Sequence, residues 1–222
     1  MESANKREQQ KAETRQAILD AAIESFALLG FDGTNFREIT QRCGADRPLI
    51  LYHFKNKENL WKAAVELVEQ RFTRQFEDNY QPDAQALTDD RTRISYLMSS
   101  FIDALIAVPA YGQILLREGS SEGPRMEWLA RHFVPGAALN ITLDNPEIVR
   151  RVQKTVLRDI LASVMVSFVA LGPLMDRSLA LVTGKNAAGI HPLNHSNKQA
   201  FIDYLLAMVF STSGNIEPSD KT

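Results

Sequence analysis

The sequence predicts an all-α protein: an N-terminal three-helix unit followed by a longer helical bundle. Three observations carry this. Apolar residues recur at three- and four-residue spacing along most of the 222 residues. Glycines and prolines punctuate the periodic stretches. Alternating β-branched runs joined by hairpin turns are absent.

The elements follow in chain order. Residues 1–10 are polar and read as frayed, and a helical pattern runs from Lys11 to Leu29. Ile18, Ala22 and Phe26 lie at i, i+4 and i+8, with Leu19 and Leu29 beside them, which gives one apolar face. Gly30 is expected to stop this helix, because glycine adopts the left-handed conformation at low cost. Asn35 can cap a second, short helix, with Glu38 at capping-box spacing and Phe36, Ile39 and Cys43 on one face. Gly44 ends it. Asp46 can cap a third helix that tolerates Pro48 in its first turn and closes near Phe54. Asn56 then opens a fourth helix, from Lys57 to about Asn79.

A polar linker with Pro82 occupies Gln81–Asp90. Beyond it, helices are expected at roughly 91–107, 110–118, 124–141, 146–172 and 197–212. The boundaries are set by Pro109, Gly119, Gly123–Pro124, Pro146 and Gly172–Pro173. A short helix near Leu174–Leu181 and a loop rich in Gly, Asn and Pro fill 173–196, and the tail from Ser213 reads as disordered.

Composition narrows the function classes. Cys43 is the single cysteine, so an internal disulfide is excluded and a thiolate metal site cannot form from it alone. No apolar segment opens the chain. The most apolar stretch, Ile160–Leu171, is shorter than the roughly 20 residues a membrane span needs. A reduced, cytoplasmic protein with no membrane association is expected. The net charge of −2 does not by itself suggest nucleic acid. Its distribution does: between Thr34 and Lys57 lie Arg37, Arg42, Arg47, Lys55 and Lys57, against only Glu38 and Asp46.

Two short helices joined by a glycine-containing turn suit a helix-turn-helix, whose second helix enters the major groove. Phe36, Ile39, Ile50 and Phe54 can lock the pair onto the first helix, although a generic three-helix core accounts for the same spacing. The residue string adds to this. Ala21–Ala22, Phe26, Gly30–Phe31, Thr34, Ile39, Gly44, Tyr52–His53–Phe54 and Lys57–Glu58 resemble the DNA-binding signature of the TetR/AcrR family of transcriptional regulators over about a fifth of the chain.

The resemblance implies a domain division: residues 1–57 as the helix-turn-helix DNA-binding domain, and 58–222 as a helical ligand-sensing and dimerisation bundle. It also implies contacts to double-stranded operator DNA. Thr34 and Arg37 fall where family members touch the phosphate backbone, and Arg47 falls at the front of the recognition helix. Tyr52 and His53 fall at that helix's end, and Lys57 at the next helix's start, again against phosphate. Leu49 can touch a thymine methyl or pack internally. Pro48 and Leu49 stand where the family often carries a small hydroxyl residue or glycine, so the base sequence read stays open.

The resemblance further implies a small-molecule inducer of unknown identity. Phe72, Met98, Phe101, Tyr111, Trp128, Met165 and Phe168 are candidate pocket walls and equally candidate core residues. Arg117 and His132, embedded in apolar helices, can orient a carboxylate or carbonyl ligand, while Arg117–Glu118 can instead be a structural ion pair. No cofactor, catalytic or metal site is expected. His191 and His195 are four apart with Pro192 between them.

Val149, Val152, Val156, Ile160, Val164 and Phe168 form an apolar seam on 146–172, and Phe201, Leu205, Met208 and Val209 form another on 197–212. The resemblance implies that these helices pair with their copies in a homodimer, which presents two recognition helices to a palindromic operator. A small helical enzyme is the alternative from another class. Against it stands the lack of a nucleophile–base motif, metal-ligand set or phosphate loop. A helical adaptor that does not bind DNA is a third reading.

Overall fold

The computed structural model describes residues 2–81, 87–132, 141–153, 155–184 and 195–211, and these are helical with no strand among them. The sequence expectations for the 82–86 linker, the 133–140 part of the expected 124–141 helix, the 185–194 loop, and the tail lie outside the described residues, as does the side chain of Val156.

The first helix, α1, spans Glu2–Gly33 and is longer at both ends than its periodicity predicts. Its polar start is rich in strong helix formers, and side chains bond one turn apart, as Gln9 does to Glu13 at 3.0 Å. Gly30 breaks α1 without ending it. Its backbone sits at φ 70, ψ 178, and one more turn follows to Gly33. The α2 helix, Phe36–Cys43, starts at Asn35, whose side chain accepts the Glu38 N–H at 3.1 Å, and stops at left-handed Gly44. The α3 helix, Arg47–Phe54, starts at Asp46, which accepts the Leu49 N–H at 2.9 Å. The α4 helix, Lys57–Asn79, starts at Asn56, which accepts the Asn59 N–H at 2.8 Å.

Seven further helices are described: α5 (Asp90–Ala107), α6 (Pro109–Glu118), α7 (Pro124–His132), α8 (Pro146–Gln153), α9 (Thr155–Ala170), α10 (Gly172–Thr183) and α11 (His195–Phe210). The expected 146–172 helix is thus described as α8 and α9 with residue 154 left between them.

Two apolar cores organise the molecule. In the first, Ile18, Ala22 and Phe26 of α1 pack with Ile39, Ile50, Phe54 and the first half of α4. Ile114 of α6 and Leu129 of α7 close it from the other side. The second joins Phe72 and Phe76, at the far end of α4, to α5, α9 and α11. One face of α4 therefore feeds both: Leu60, Trp61, Ala64, Val65 and Val68 enter the first core, and Phe72 and Phe76 the second. That spacing is a continuous three-and-four repeat, so a displacement of α4 is felt in both cores. Among the described residues, no single helix is long and apolar enough to cross a membrane.

Candidate nucleic-acid interface and bundle cavity

The α2–α3 pair is fixed from within. Ile39, Ile50 and Phe54 are buried, and they anchor the inner faces on α1. The outer faces are left to solvent: Arg37, Arg47, Leu49 and Tyr52 are all exposed, Tyr52 by 67%. Arg37 and Arg47 flank one open groove between the helices, with Asn35 and Thr40 in its wall. The Arg47 guanidinium rests 5.4 Å from the centre of the Phe36 ring, which holds its charge at the front of α3.

At the other end of α3, Tyr52 and His53 meet edge to face at 5.2 Å. Lys11 of α1 sits 5.3 Å above the Tyr52 ring, and Arg15, one turn on, 5.1 Å from the Phe54 ring. Burial lowers the His53 pKa below its ordinary value, and the charges of Lys11 and Arg15 lower it further. His53 is therefore a neutral imidazole at pH 7 beside two fixed cations. Lys11 and Arg15 escaped the sequence reading, although both lie in the predicted first helix or at its start. Their four-residue spacing was visible, but their approach to α3 is tertiary.

Two expected phosphate contacts look different in three dimensions. Thr34 is 1% exposed, and its hydroxyl donates to the carbonyls of Ser25 (3.0 Å) and Gly30 (2.7 Å). It serves the break in α1, because the carbonyls around Gly30 need donors there, and it is turned away from solvent. Lys57 is half-buried, with its ammonium 4.4 Å from the centre of the Phe31 ring. Burial is the main influence on its pKa, which is lowered. Arg125 covers the same ring at 4.0 Å, so Phe31 lies between two cations.

The candidate ligand residues divide into separate groups. Met98, Phe101 and Met165 line one narrow cavity between α5, α8, α9 and α11. Phe72 adjoins it, edge-on to Phe101 at 5.2 Å and stacked on Tyr111 at 3.9 Å. Burial pushes the Tyr111 phenol pKa upward, and the nearby Glu69 carboxylate adds to this, so the ring stays neutral. The other four candidates are not in this cavity. Phe168 stacks on Phe201 at 4.1 Å. Trp128 stacks on His132 at 3.8 Å and reaches Trp61 at 5.3 Å, against the first core. The Arg117 Nε–H donates to the carbonyl of Ala27 in α1 at 2.7 Å. Arg158, which the sequence reading did not single out, lines the cavity beside Leu161 and Ala162.

The apolar seams also need correction. On α11, Leu205 and Val209 are buried in the second core, while Tyr204 and Met208 face solvent. Residues 204 and 208 are one turn apart and lie about 100° round the helix from 205 and 209, just outside the strip that the second core covers. On α9, Ile160 and Val164 are exposed, as are Leu181 and Val182 on α10.

Comparison with known proteins agrees with this geometry. Residues 18–64 match the family described as bacterial regulatory proteins, tetR family. The HTH-type transcriptional regulator AcrR of Shigella flexneri is 41% identical over 66 residues, 30% of this chain and 31% of AcrR. The match thus spans about a third of that relative's length. Among solved structures, the regulator SCO4942 from Streptomyces coelicolor aligns with a TM-score of 0.56 at 14% identity, over 89% of this chain and 98% of its own. FadR from Bacillus subtilis, solved in complex with stearoyl-CoA, aligns with a TM-score of 0.52 at 15% identity, over 90% and 99%. The last two establish the fold over nearly the whole chain, and the first two the identity of its N-terminal module. The capped α2–α3 pair and the residues that build it thus match the N-terminal module of the tetR family, and the helical bundle behind it has the fold of the two solved regulators.

Proposed function

We propose that the chain is a homodimeric DNA-binding transcriptional regulator, a repressor released from a palindromic operator by a small-molecule inducer. One observation carries the reading. Two short capped helices bury their inner faces on α1 and turn Arg37, Arg47, Leu49 and Tyr52 outward on one surface. Such a surface has what duplex recognition needs: guanidinium groups for phosphate or guanine, a phenol for phosphate, and an apolar side chain for a thymine methyl. Lys11 and Arg15 add charge at the Tyr52 end. His53 contributes there an imidazole that is neutral in the free protein, and Lys57 adds an ammonium from the start of α4. Thr34 is left out of this set.

In this reading residues 1–57 bind DNA, and 58–222 dimerise and sense the ligand. The exposed apolar faces of α9 and α11 would pair with their copies, and the cavity beside Met98, Phe101 and Met165 would receive the inducer. The solved complex of FadR with stearoyl-CoA supports a ligand-binding role for a bundle of this fold.

A gel-shift titration on DNA from the gene's own promoter region, between about 50 and 200 mM salt, tests the DNA half. Specific binding that weakens steeply with salt is expected. Binding no tighter than to unrelated DNA of equal length would refute it.

A further inference from the structure

We infer that the cavity between α5 and α9 takes a slender apolar chain ending in one anionic group, with Arg158 at its mouth as the anion receptor. This deepens the ligand-sensing reading and rests on it for any consequence at DNA.

The walls come first. Ile94, Leu97, Phe101, Leu161 and Met165 are apolar and face a space of about 50 Å³. That is a narrow slot. An unbranched chain can thread it by moving side chains such as Met98 and Met165, whose rotatable bonds yield readily. A fused-ring system would have to force whole helices apart, against close packing. An apolar wall also gives no compensation for a polar group buried along the chain, so polarity must be confined to the end.

The charge comes next. Among the described lining residues, Arg158 is the one that carries a charge. Its carbon stem lines the almost wholly apolar cavity and its side chain is 28% exposed, so the guanidinium at the end of that stem reaches toward solvent at the cavity's edge. Its Nε–H bonds to Asp159 at 3.2 Å. That acceptor is the neighbouring residue, is 57% exposed, and can turn to water. An exposed pair of this kind contributes little, so a ligand carboxylate can take its place. The planar guanidinium then offers a carboxylate two parallel donors, a geometry an ammonium cannot match. A cationic amphiphile would meet Arg158 with like charge, and a neutral one would leave the guanidinium without a new partner.

The test uses the purified protein without DNA, stripped of bound lipid, and calorimetric titration with three ten-carbon probes, the two ionic ones below their micellar concentrations and the alcohol below its solubility limit. These are decanoate, decan-1-ol and decyltrimethylammonium. Decanoate is expected to bind at least tenfold more tightly than decan-1-ol, and the cation more weakly than either. In Arg158→Gln, decanoate should fall to the affinity of decan-1-ol. In Arg158→Glu, the order of decanoate and the cation should reverse. Ala162→Phe, which fills the slot, should lose all three probes with an unchanged helical circular dichroism spectrum. If Ala162→Phe does not fold, the two Arg158 variants decide the matter alone. Equal binding of decanoate and decan-1-ol by the wild type, or decanoate binding unaffected in Arg158→Gln, overturns the proposal. A parallel gel-shift separates the two readings. Arg158-dependent decanoate binding without loss of DNA affinity would retain the site and remove ligand control. DNA release by some other compound, with no decanoate binding, would do the reverse.

Discussion

The Glu118 carboxylate accepts the backbone N–H of Phe31 at 2.8 Å, across 87 residues of sequence. In an unbroken helix that N–H would bond to the carbonyl of Ala27. The break at Gly30 separates the two groups, and neighbouring residues at the end of α6 take one each: Glu118 receives the Phe31 N–H, and Arg117 donates to Ala27. The bundle thereby holds the end of α1 just before the helix-turn-helix. Arg125, 3.6 Å from Asp32 and stacked on Phe31, reinforces the joint from α7.

Replacing Glu118 by Ala leaves a partly buried amide without a partner. A loss of about 1–3 kcal/mol in urea denaturation is expected, with Glu118→Gln, which keeps an acceptor, costing less. Equal stability of all three proteins would mean that the joint contributes nothing.

Arg47→Ala and Lys57→Ala should weaken operator binding with little change in melting temperature, since neither side chain belongs to a core. Each lost phosphate contact should reduce the slope of log affinity against log salt by about 1. Tyr52→Phe removes a neutral donor, so it should lower affinity and leave the slope unchanged. Gel-shift titrations at several salt concentrations measure both quantities. A slope unaltered in both charge variants would remove those residues from the interface.

The lowered pKa of His53 gives a pH dependence with a definite sign. In the free protein the imidazole is neutral at pH 7. Nearby phosphates favour its charged form, so DNA binding should take up a proton, and affinity should rise as pH falls from about 8 towards the usual histidine range. His53→Asn should flatten this trend. For stability alone the sign is opposite. The unfolded state binds the proton more readily, so the His53 contribution is present above about pH 6.5 and is lost as pH falls through the lowered folded value. Chemical denaturation at pH 8 and pH 6, with and without the substitution, measures the second effect.

The outward residues Val164 and Met208 are the ones to charge in a test of dimerisation. Val164→Glu and Met208→Glu should each yield a folded monomer by sedimentation, with operator affinity greatly reduced, because one recognition helix then contacts one half-site. Leu205→Glu should instead unfold the bundle, since Leu205 is 2% exposed in the second core. A wild type that sediments as a monomer at micromolar concentration contradicts the dimer.

Phe101 lines the cavity and touches Phe72 on α4, whose first residue is Lys57. A ligand that displaces Phe101 can thus tilt α4 and alter the spacing of two recognition helices. A tenfold loss of DNA affinity needs about 1.4 kcal/mol of coupling. By linkage, operator DNA must weaken the ligand tenfold as well. Ligand titrations with and without operator test this, and equal affinities would show that the two sites are uncoupled.

The short helices around the turn were legible in the sequence because what defines them is local. Asn35, Asp46 and Asn56 each cap an amide three residues ahead, and Gly44 supplies the left-handed stop beside them. The inward set Ile39, Ile50 and Phe54 follows from the same short-range periodicity. Residue type and spacing suffice when both partners lie within one turn. Tertiary structure decided the rest. Thr34 is buried because Ser25 and Gly30 need its hydroxyl, and Arg117 is spent on a carbonyl 90 residues away. Leu205 faces inward and Met208 outward because α11 meets α5 along one side, which the uninterrupted apolar run from Leu205 to Phe210 does not announce. Arg158 borders the cavity for a similar reason: its place follows from how α5, α8, α9 and α11 converge. Those assignments depend on which faces meet in space, and the pattern within a single helix does not contain that information.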